Sequence, residues 1–203
     1  MMASGERDSD WRDYYERTSG RPPRRTLLLA LEHFGGDGDG RGAVDLGCGD
    51  GRDTVELLRR GWSVVAIDAE PAAIARLAAR PDLPENAKLT TRVARFEDAK
   101  WPPVDLVNAS FALPLCPSER FPALWARLVQ SLRPGGRFAG QLFGARDEWA
   151  GEPGITHLSR AEVAQLLDGF AIELFEEEET DTATPYGKPK HWHLFHLVAR
   201  KQG

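Results

Sequence analysis

A chain of 203 residues can bury one α/β core but is short for two, and with 41% apolar and 28% charged residues it reads as a single globular domain spanning 1–203. No apolar run approaches the roughly 20 residues of a membrane span, and an opening that carries Glu6, Asp8 and Asp10 lacks the apolar stretch of a signal peptide; the expected address is the cytoplasm, with no membrane partner. A formal net charge of -5 argues against affinity built on many phosphate contacts, so no nucleic-acid partner is expected.

Residues 1–40 read as a helical segment able to act as a lid on a core of residues 41–203. Trp11, Tyr14 and Tyr15 lie on a short amphipathic stretch before Pro22-Pro23. Leu27, Leu28 and Leu31 then fit a helix over Arg24 to Phe34, which the loop Gly35 to Gly40 stops. Arg21, Arg24 and Arg25 read as the solvated start of that helix. Cys48 and Cys116 are too few for a disulfide framework or a zinc site and read as small core residues.

Past the loop, short apolar runs alternate with helical stretches, the pattern of βα units. Strands are expected at Ala43 to Leu46, Ser63 to Ile67, Lys88 to Ala94, Val104 to Ala109 and Arg137 to Phe143. Helices are expected at Asp53 to Arg60, Pro71 to Arg80 and Ser118 to Ser131, and a capping box at Ser159 and Glu162 opens another that runs to Leu167. Arg133-Pro134-Gly135-Gly136 reads as a turn. Two last strands, Ala171 to Glu178 and His191 to Arg200, have no helix between them and must therefore be antiparallel. The run Glu176 to Glu179 reads as the solvated end of an edge strand. The fold class is α/β: a Rossmann-like three-layer α/β/α sandwich whose seven-stranded mixed sheet has an antiparallel last strand.

The first strand runs directly into a glycine loop, Val44-Asp45-Leu46-Gly47-Cys48-Gly49-Asp50-Gly51-Arg52, and then a helix. Glycines permit positive φ and close backbone approach, and the helix start offers free N–H groups to polar atoms of a ligand. A dinucleotide loop needs a small residue at its sixth position, whereas here Arg52 stands there. Asp45 would repel a pyrophosphate but welcome an ammonium or sulfonium. Asp68 ends the second strand and can accept from both ribose hydroxyls. The combination points to a nucleoside ligand without phosphates. The plainer alternatives are that Asp45 caps the turn, that Asp68 caps the next helix, and that Glu97 and Asp98 are a solvated turn.

With these residues in view, the chain resembles the class I S-adenosylmethionine-dependent methyltransferases. "VDLGCGDG" is similar to their first motif, Asp68 to the ribose acid, "VDLVNAS" to the strand-four motif and "LRPGG" to the turn before strand five, together covering about residues 43 to 143. Trp11 to Tyr15 and "KHWHLFHLVARK" resemble, more loosely, the small-molecule branch that includes the tellurite-resistance type enzymes. The resemblance implies S-adenosylmethionine as cofactor and S-adenosylhomocysteine as product. It places Asp45, Gly47 and Gly49 around the methionine end, Asp68 on the ribose and Ala69 on the adenine. Phe96 and Glu97 or Asp98 would flank the adenine, and Asn108 and Ser110 would lie near the methyl group. Asn108 stands where many relatives have an acid, which leaves no assigned carboxylate base.

Methyl transfer is an in-line displacement that alignment in a water-poor pocket can accelerate, so a dedicated base is optional. The expected function is methylation of a small molecule. The competing readings are a nucleic-acid or protein methyltransferase and a non-catalytic binding module. Loops on the cofactor's face supply the acceptor candidates: Tyr15, Phe111, Arg146, Asp147, Trp149, Tyr186, Lys188 and His191. His191 and His193 share one strand face while His196 takes the other, a poor arrangement for three-point metal coordination, and no metal is expected.

Overall fold

The computed structural model describes residues 14, 17, 18, 20–35 and 38–203. Its elements are α1 (Arg25–His33), β1 (Gly42–Leu46), α2 (Arg52–Arg59), β2 (Ser63–Asp68), α3 (Pro71–Ala78), β3 (Leu89–Val93) and β4 (Val104–Ala109). A 3-10 turn at Leu113–Leu115 precedes α4 (Phe121–Ser131), β5 (Leu132–Gly144), β6 (His157–Leu158), α5 (Arg160–Leu166), β7 (Phe170–Ala183) and β8 (Pro189–Lys201). The sheet runs β3-β2-β1-β4-β5-β8-β7. Its first five strands are parallel, and β8 is antiparallel to both neighbours. β7 therefore points the same way as β1 to β5, and the β7–β8 hairpin tip lies at their carboxyl ends. This is the expected Rossmann-like architecture with one addition. Strand β6, pairing Phe143 with His157 and Gly144 with Leu158, makes an eighth strand too short to carry a periodic signal.

Side chains alternate across the sheet and feed two cores. Val44, Leu46, Val107 and Phe138 pack with Leu124, Trp125 and Leu128 of α4 and Val163 of α5. Ala43, Leu106, Ala139 and Val198 face the other way, onto Leu27 and Leu31 of α1, Leu57 and Leu58 of α2 and Leu77 of α3. Both free cysteines are buried, Cys116 in the first core and Cys48 in the second.

Local chemistry explains the helix starts. Pro71 occupies a first-turn position of α3, where its missing N–H is no loss. The Ser159 N–H donates to Glu162 Oε2 at 2.7 Å while the Glu162 N–H donates to Ser159 Oγ at 3.3 Å, completing the capping box. Helix α4 starts at Phe121 rather than Ser118, because Pro122 suits its first turn and the Ser118 hydroxyl instead donates to the Ile155 carbonyl at 3.0 Å.

Three other expectations change with long-range pairing. Arg133 to Gly136 is a bulge inside β5, between the pairs Val104↔Leu132 and Leu106↔Arg137, rather than a turn before it. The hairpin strands are longer than expected, and the acidic run lies in mid-strand on the edge with its charges partnered. Glu176 meets Arg25 and Glu178 meets His196 on one face; Glu177 and Glu179 meet Arg146, Arg160, His191 and His193 on the other. Hydrogen bonds from His193, then Arg160 and Arg146, hold Glu177 down to about 2, and those from Arg146, then His191, hold Glu179 there as well.

Gly51 opens α2 at φ +88, and a Cβ there would lie 2.2 Å from Leu77 Cδ1. Gly51→Ala is therefore expected to lower stability by about 1–3 kcal/mol, read as a smaller urea midpoint at unchanged m. An unchanged midpoint would mean that the loop has another conformation open to it.

Candidate functional site

The order of the strands reverses between β1 and β4, and open α/β sheets bind ligands at the carboxyl ends beside such a switch. The glycine loop fills that position. Gly47 has φ +65, and a Cβ on it would lie 2.6 Å from the Ala112 Cβ. The loop folds back on itself through Gly51 N–H to the Cys48 carbonyl at 3.0 Å, and Cys48 N–H reaches the Ile67 carbonyl at 3.1 Å. Asp68 ties it to the end of β2: its two oxygens accept from Gly49 N–H at 2.8 Å and Glu70 N–H at 2.9 Å. Burial raises the Asp68 carboxyl above its ordinary range, against these backbone donors. The N-cap of α3 is Glu70, so Asp68 clamps the loop instead of capping the helix.

Asp45 and Asn108 are register partners across the switch point. Asp45 accepts from Thr54 Oγ1 at 2.5 Å and from Asn108 Nδ2 at 2.9 Å, so it does not cap the turn. The same Asn108 amide donates to Asp53 Oδ2 at 3.1 Å, and Asp53 also accepts from Ser110 Oγ at 2.6 Å and from the Arg24 backbone N–H at 2.9 Å. All of these donors are neutral. Burial first, then the charge of Asp53, pushes the Asp45 carboxyl up to about 7, despite the hydrogen bonds from Thr54 and Asn108. The Cys48 thiol is raised by burial, with Asp45 and Asp68 adding to it. An acid at position 108 would put a third negative charge beside Asp45 and Asp53; the amide supplies two donors, which accounts for the asparagine at the strand-four motif.

Asp53 and Thr54 escape notice in the sequence because they read as ordinary first-turn helix residues. An acid two places after the last loop glycine is the signal that could have found Asp53.

On the β2–β3 side, Ala69 is exposed next to Asp68, and Phe96 packs into the first core. Glu97 is buried, but its carboxylate meets Arg95 at 2.5 Å and Arg120 at 4.0 Å, while Arg127 donates to the Phe96 and Glu97 carbonyls. Asp98 is exposed and paired with Arg120.

The expected acceptor residues divide into two groups. Phe111 follows β4 with φ 56, a left-handed conformation that a bulky residue rarely adopts. Its N–H donates to Gln141 Oε1 at 3.1 Å, and Gln141 Nε2 donates to Thr26 Oγ1 at 2.9 Å, anchoring that conformation to β5 and α1. The Arg24 guanidinium lies 4.4 Å from the Phe111 ring centroid, and Trp192 meets the ring edge-on at 6.5 Å. Trp192 in turn contacts Trp149 at 5.7 Å and Phe143 at 6.2 Å. Behind these rings Lys190 Nζ is 2.5 Å from Asp147 Oδ1, with both side chains inaccessible, and stands 3.8 Å from the Trp192 centroid and 4.4 Å from that of Trp149. Phe111, Asp147 and Trp149 thus come together with Arg24, Lys190 and Trp192, which the sequence reading did not single out as acceptor residues.

Arg146 and His191 belong to the other group. Arg146 is committed to Glu177 and Glu179, and His191 to Glu179 and Asp181. Tyr186 is exposed at the hairpin tip under the Arg17 guanidinium, and Lys188 N–H bonds Thr184 Oγ1 at 3.3 Å. Tyr15 and Trp11 lie outside the described residues.

Residues 43–136 match the family described as methyltransferase domain. Among relatives, trans-aconitate 2-methyltransferase of Klebsiella pneumoniae is 35% identical over 135 residues, 65% of this chain and 46% of that protein. The chain thus spans about half the length of that relative. Among solved structures, TehB from Haemophilus influenzae superposes with a TM-score of 0.77 at 18% identity, covering 95% of this chain and 67% of that one. A 1,6-didemethyltoxoflavin-N1-methyltransferase of Burkholderia thailandensis, solved with 1,6-didemethyltoxoflavin and S-adenosylhomocysteine, gives 0.68 at 22% identity, covering 100% and 92%.

Proposed function

We propose that the chain is a class I S-adenosylmethionine-dependent methyltransferase whose crevice binds S-adenosylmethionine and transfers its methyl group to a small-molecule acceptor; the methyltransferase-domain match over residues 43–136 and the likeness to trans-aconitate 2-methyltransferase support this reading. The observation that carries this reading is the state of Asp45: a buried acid, raised to about 7 beside Asp53, with only neutral donors on it. Such a site is short of positive charge, and a ligand bearing an ammonium and a sulfonium supplies it.

In this reading Asp45 and Asp53 face the amino-acid end of the cofactor, and Gly47 and Gly49 bring backbone close to it. Asp68 keeps lone pairs for the ribose hydroxyls beyond its bonds to Gly49 and Glu70, and Ala69 is open to the adenine. Phe96 and Glu97 line the adenine side, with Arg95 holding the Glu97 carboxylate. Asn108 and Ser110 stand nearest the reacting methyl group. When bound, the cofactor supplies an electrophilic methyl on sulfur. The chain's contribution is alignment and exclusion of water, since Asn108 and Ser110 are both spent as donors to Asp53. A small-molecule acceptor agrees with the net charge of -5 and with what the trans-aconitate and didemethyltoxoflavin enzymes are named for.

Asp68→Ala is expected to weaken S-adenosylhomocysteine binding by about 30-fold or more, since two hydrogen bonds to a charged acceptor are worth about 1.5–3 kcal/mol each. Calorimetry reads this directly, and an unchanged affinity removes the ribose assignment.

A further inference from the structure

Beside the donor crevice, at the carboxyl ends of β4, β5 and the hairpin, stand three half-buried rings in contact, Phe111, Trp192 and Trp149. They are not simply core. Phe111 holds a left-handed backbone conformation that brings its ring up to this end of the sheet, and Gln141 is spent on holding it there. Phe111 also carries a cation on its face: the Arg24 guanidinium, 4.4 Å from the centroid. Among the described residues that guanidinium meets no hydrogen-bond acceptor; the Arg24 bond to Asp53 runs through its backbone N–H. Its neighbours include two more cations, Arg52 and Arg21, with Asp53 and Tyr14 opposing them. Five guanidinium donors, partly desolvated and unspent, form a receptor for an anion. Two cations from β5's following loop and the hairpin are already neutralised, Lys190 by Asp147 and Arg146 by Glu177 and Glu179. The guanidinium lies 4.4 Å and the Trp192 ring centroid 6.5 Å from the same phenyl centroid, so a single molecule of ring size can reach both.

We propose that the acceptor is a planar aromatic acid, its ring stacked on the Trp192–Trp149–Phe111 wall and its anionic group received by Arg24. This rests on the methyltransferase reading above and adds the class of acceptor to it. The wall selects flat, polarisable rings over saturated ones, and Arg24 selects an anion over a neutral analogue of the same shape.

Three probes separate these terms on the protein saturated with S-adenosylhomocysteine: 2-naphthoate, its neutral carboxamide, and the saturated decahydro-2-naphthoate. Tryptophan fluorescence and calorimetry are expected to show 2-naphthoate binding at least about 10-fold tighter than either of the others, the gap that one charged contact or one good stack supplies. Arg24→Gln is expected to abolish the advantage over the carboxamide, and Trp192→Leu the advantage over the saturated acid. Trp192→Leu should not change S-adenosylhomocysteine affinity more than about twofold, and Trp149→Leu serves where Trp192→Leu does not fold. Equal binding of the three probes, or no binding by any, overturns the proposal. So does an Arg24→Gln variant that loses S-adenosylhomocysteine affinity while keeping its preference for the acid, since the guanidinium then serves the donor. Should wild-type protein fail to bind S-adenosylhomocysteine, the donor reading falls, and the same comparison on the free protein still decides the wall and Arg24.

Discussion

Asp45→Asn is expected to bind S-adenosylmethionine about 10- to 100-fold more weakly than the wild type and yet to melt higher without ligand at pH 8. Asparagine preserves the local bonding: its Oδ1 accepts from Asn108 Nδ2, and its Nδ2 donates to the Thr54 hydroxyl in place of the bond that Asp45 Oδ2 accepts. What disappears is a buried charge. Burial pushes the Asp45 carboxyl up to about 7 from its ordinary 3.8, so the folded state holds this proton more tightly than the unfolded chain does. Ionised Asp45 therefore destabilises the fold. The penalty is absent below about pH 4, grows through the interval up to 7, and is complete above it. Wild type and variant should melt together near pH 4 and separate by about 8–16 °C at pH 8, since a rise from 3.8 to about 7 corresponds to about 4 kcal/mol and a chain of this size shifts by about 2–4 °C per kcal/mol. A bound cation favours the ionised form, so wild-type affinity should rise from pH 6 to pH 8 with release of a proton, and the variant should lose that slope. Equal melting of the two proteins across the whole range would refute the account of Asp45.

The second large effect is at the buried Asp147–Lys190 pair. Asp147→Ala strips the counter-charge from Lys190, whose side chain is 1% exposed, and leaves the backbone N–H groups of Trp149 and His193 without their acceptor. Breaking a buried pair from one side costs about 3–5 kcal/mol, which at this chain length is about 6–20 °C in melting temperature. The rings of Trp192 and Trp149 around the ammonium offset part of this, by about 1–2 kcal/mol. The pair Asp147→Asn with Lys190→Met keeps an acceptor for one of the two N–H groups and removes both charges, so it should recover part of the loss in a urea-denaturation double-mutant cycle. A single Asp147→Ala variant within about 1 kcal/mol of wild type would mean that solvent reaches Lys190.

Much of the glycine-loop geometry was legible in the chain because it is local. Gly47, Gly49 and Gly51 all adopt positive φ, and the loop that needs them is contiguous in sequence. Asp68 could be singled out because a strand end followed by Pro71 is visible in one dimension. Asp53 and Thr54 were not, because their importance lies in what they face: Asp53 is joined by Asn108 of β4, by Ser110 just after it and by the backbone of Arg24, separations of 55, 57 and 29 residues. Arg24 read as a solvated helix start, since nothing near it in sequence announces the Phe111 ring it covers. Arg146 and His191 show the reverse. As loop and hairpin-tip polar residues they looked free to meet a substrate, but the extended hairpin lines up Glu177, Glu179 and Asp181 on one face and engages both.

The βα alternation, the capping box and the glycine loop follow from residues within a few positions of one another, so periodicity and turn chemistry sufficed to read them. The bulge in β5, strand β6, the partners of the acidic run and the aromatic wall arise from contacts between distant segments, whose free energies appear only once the chain has closed on itself. The glycine loop speaks for the donor because the loop carries its own chemistry. The acceptor's features come from β4, β5, the hairpin and the segment before α1 together, and only packing brings those four to one place.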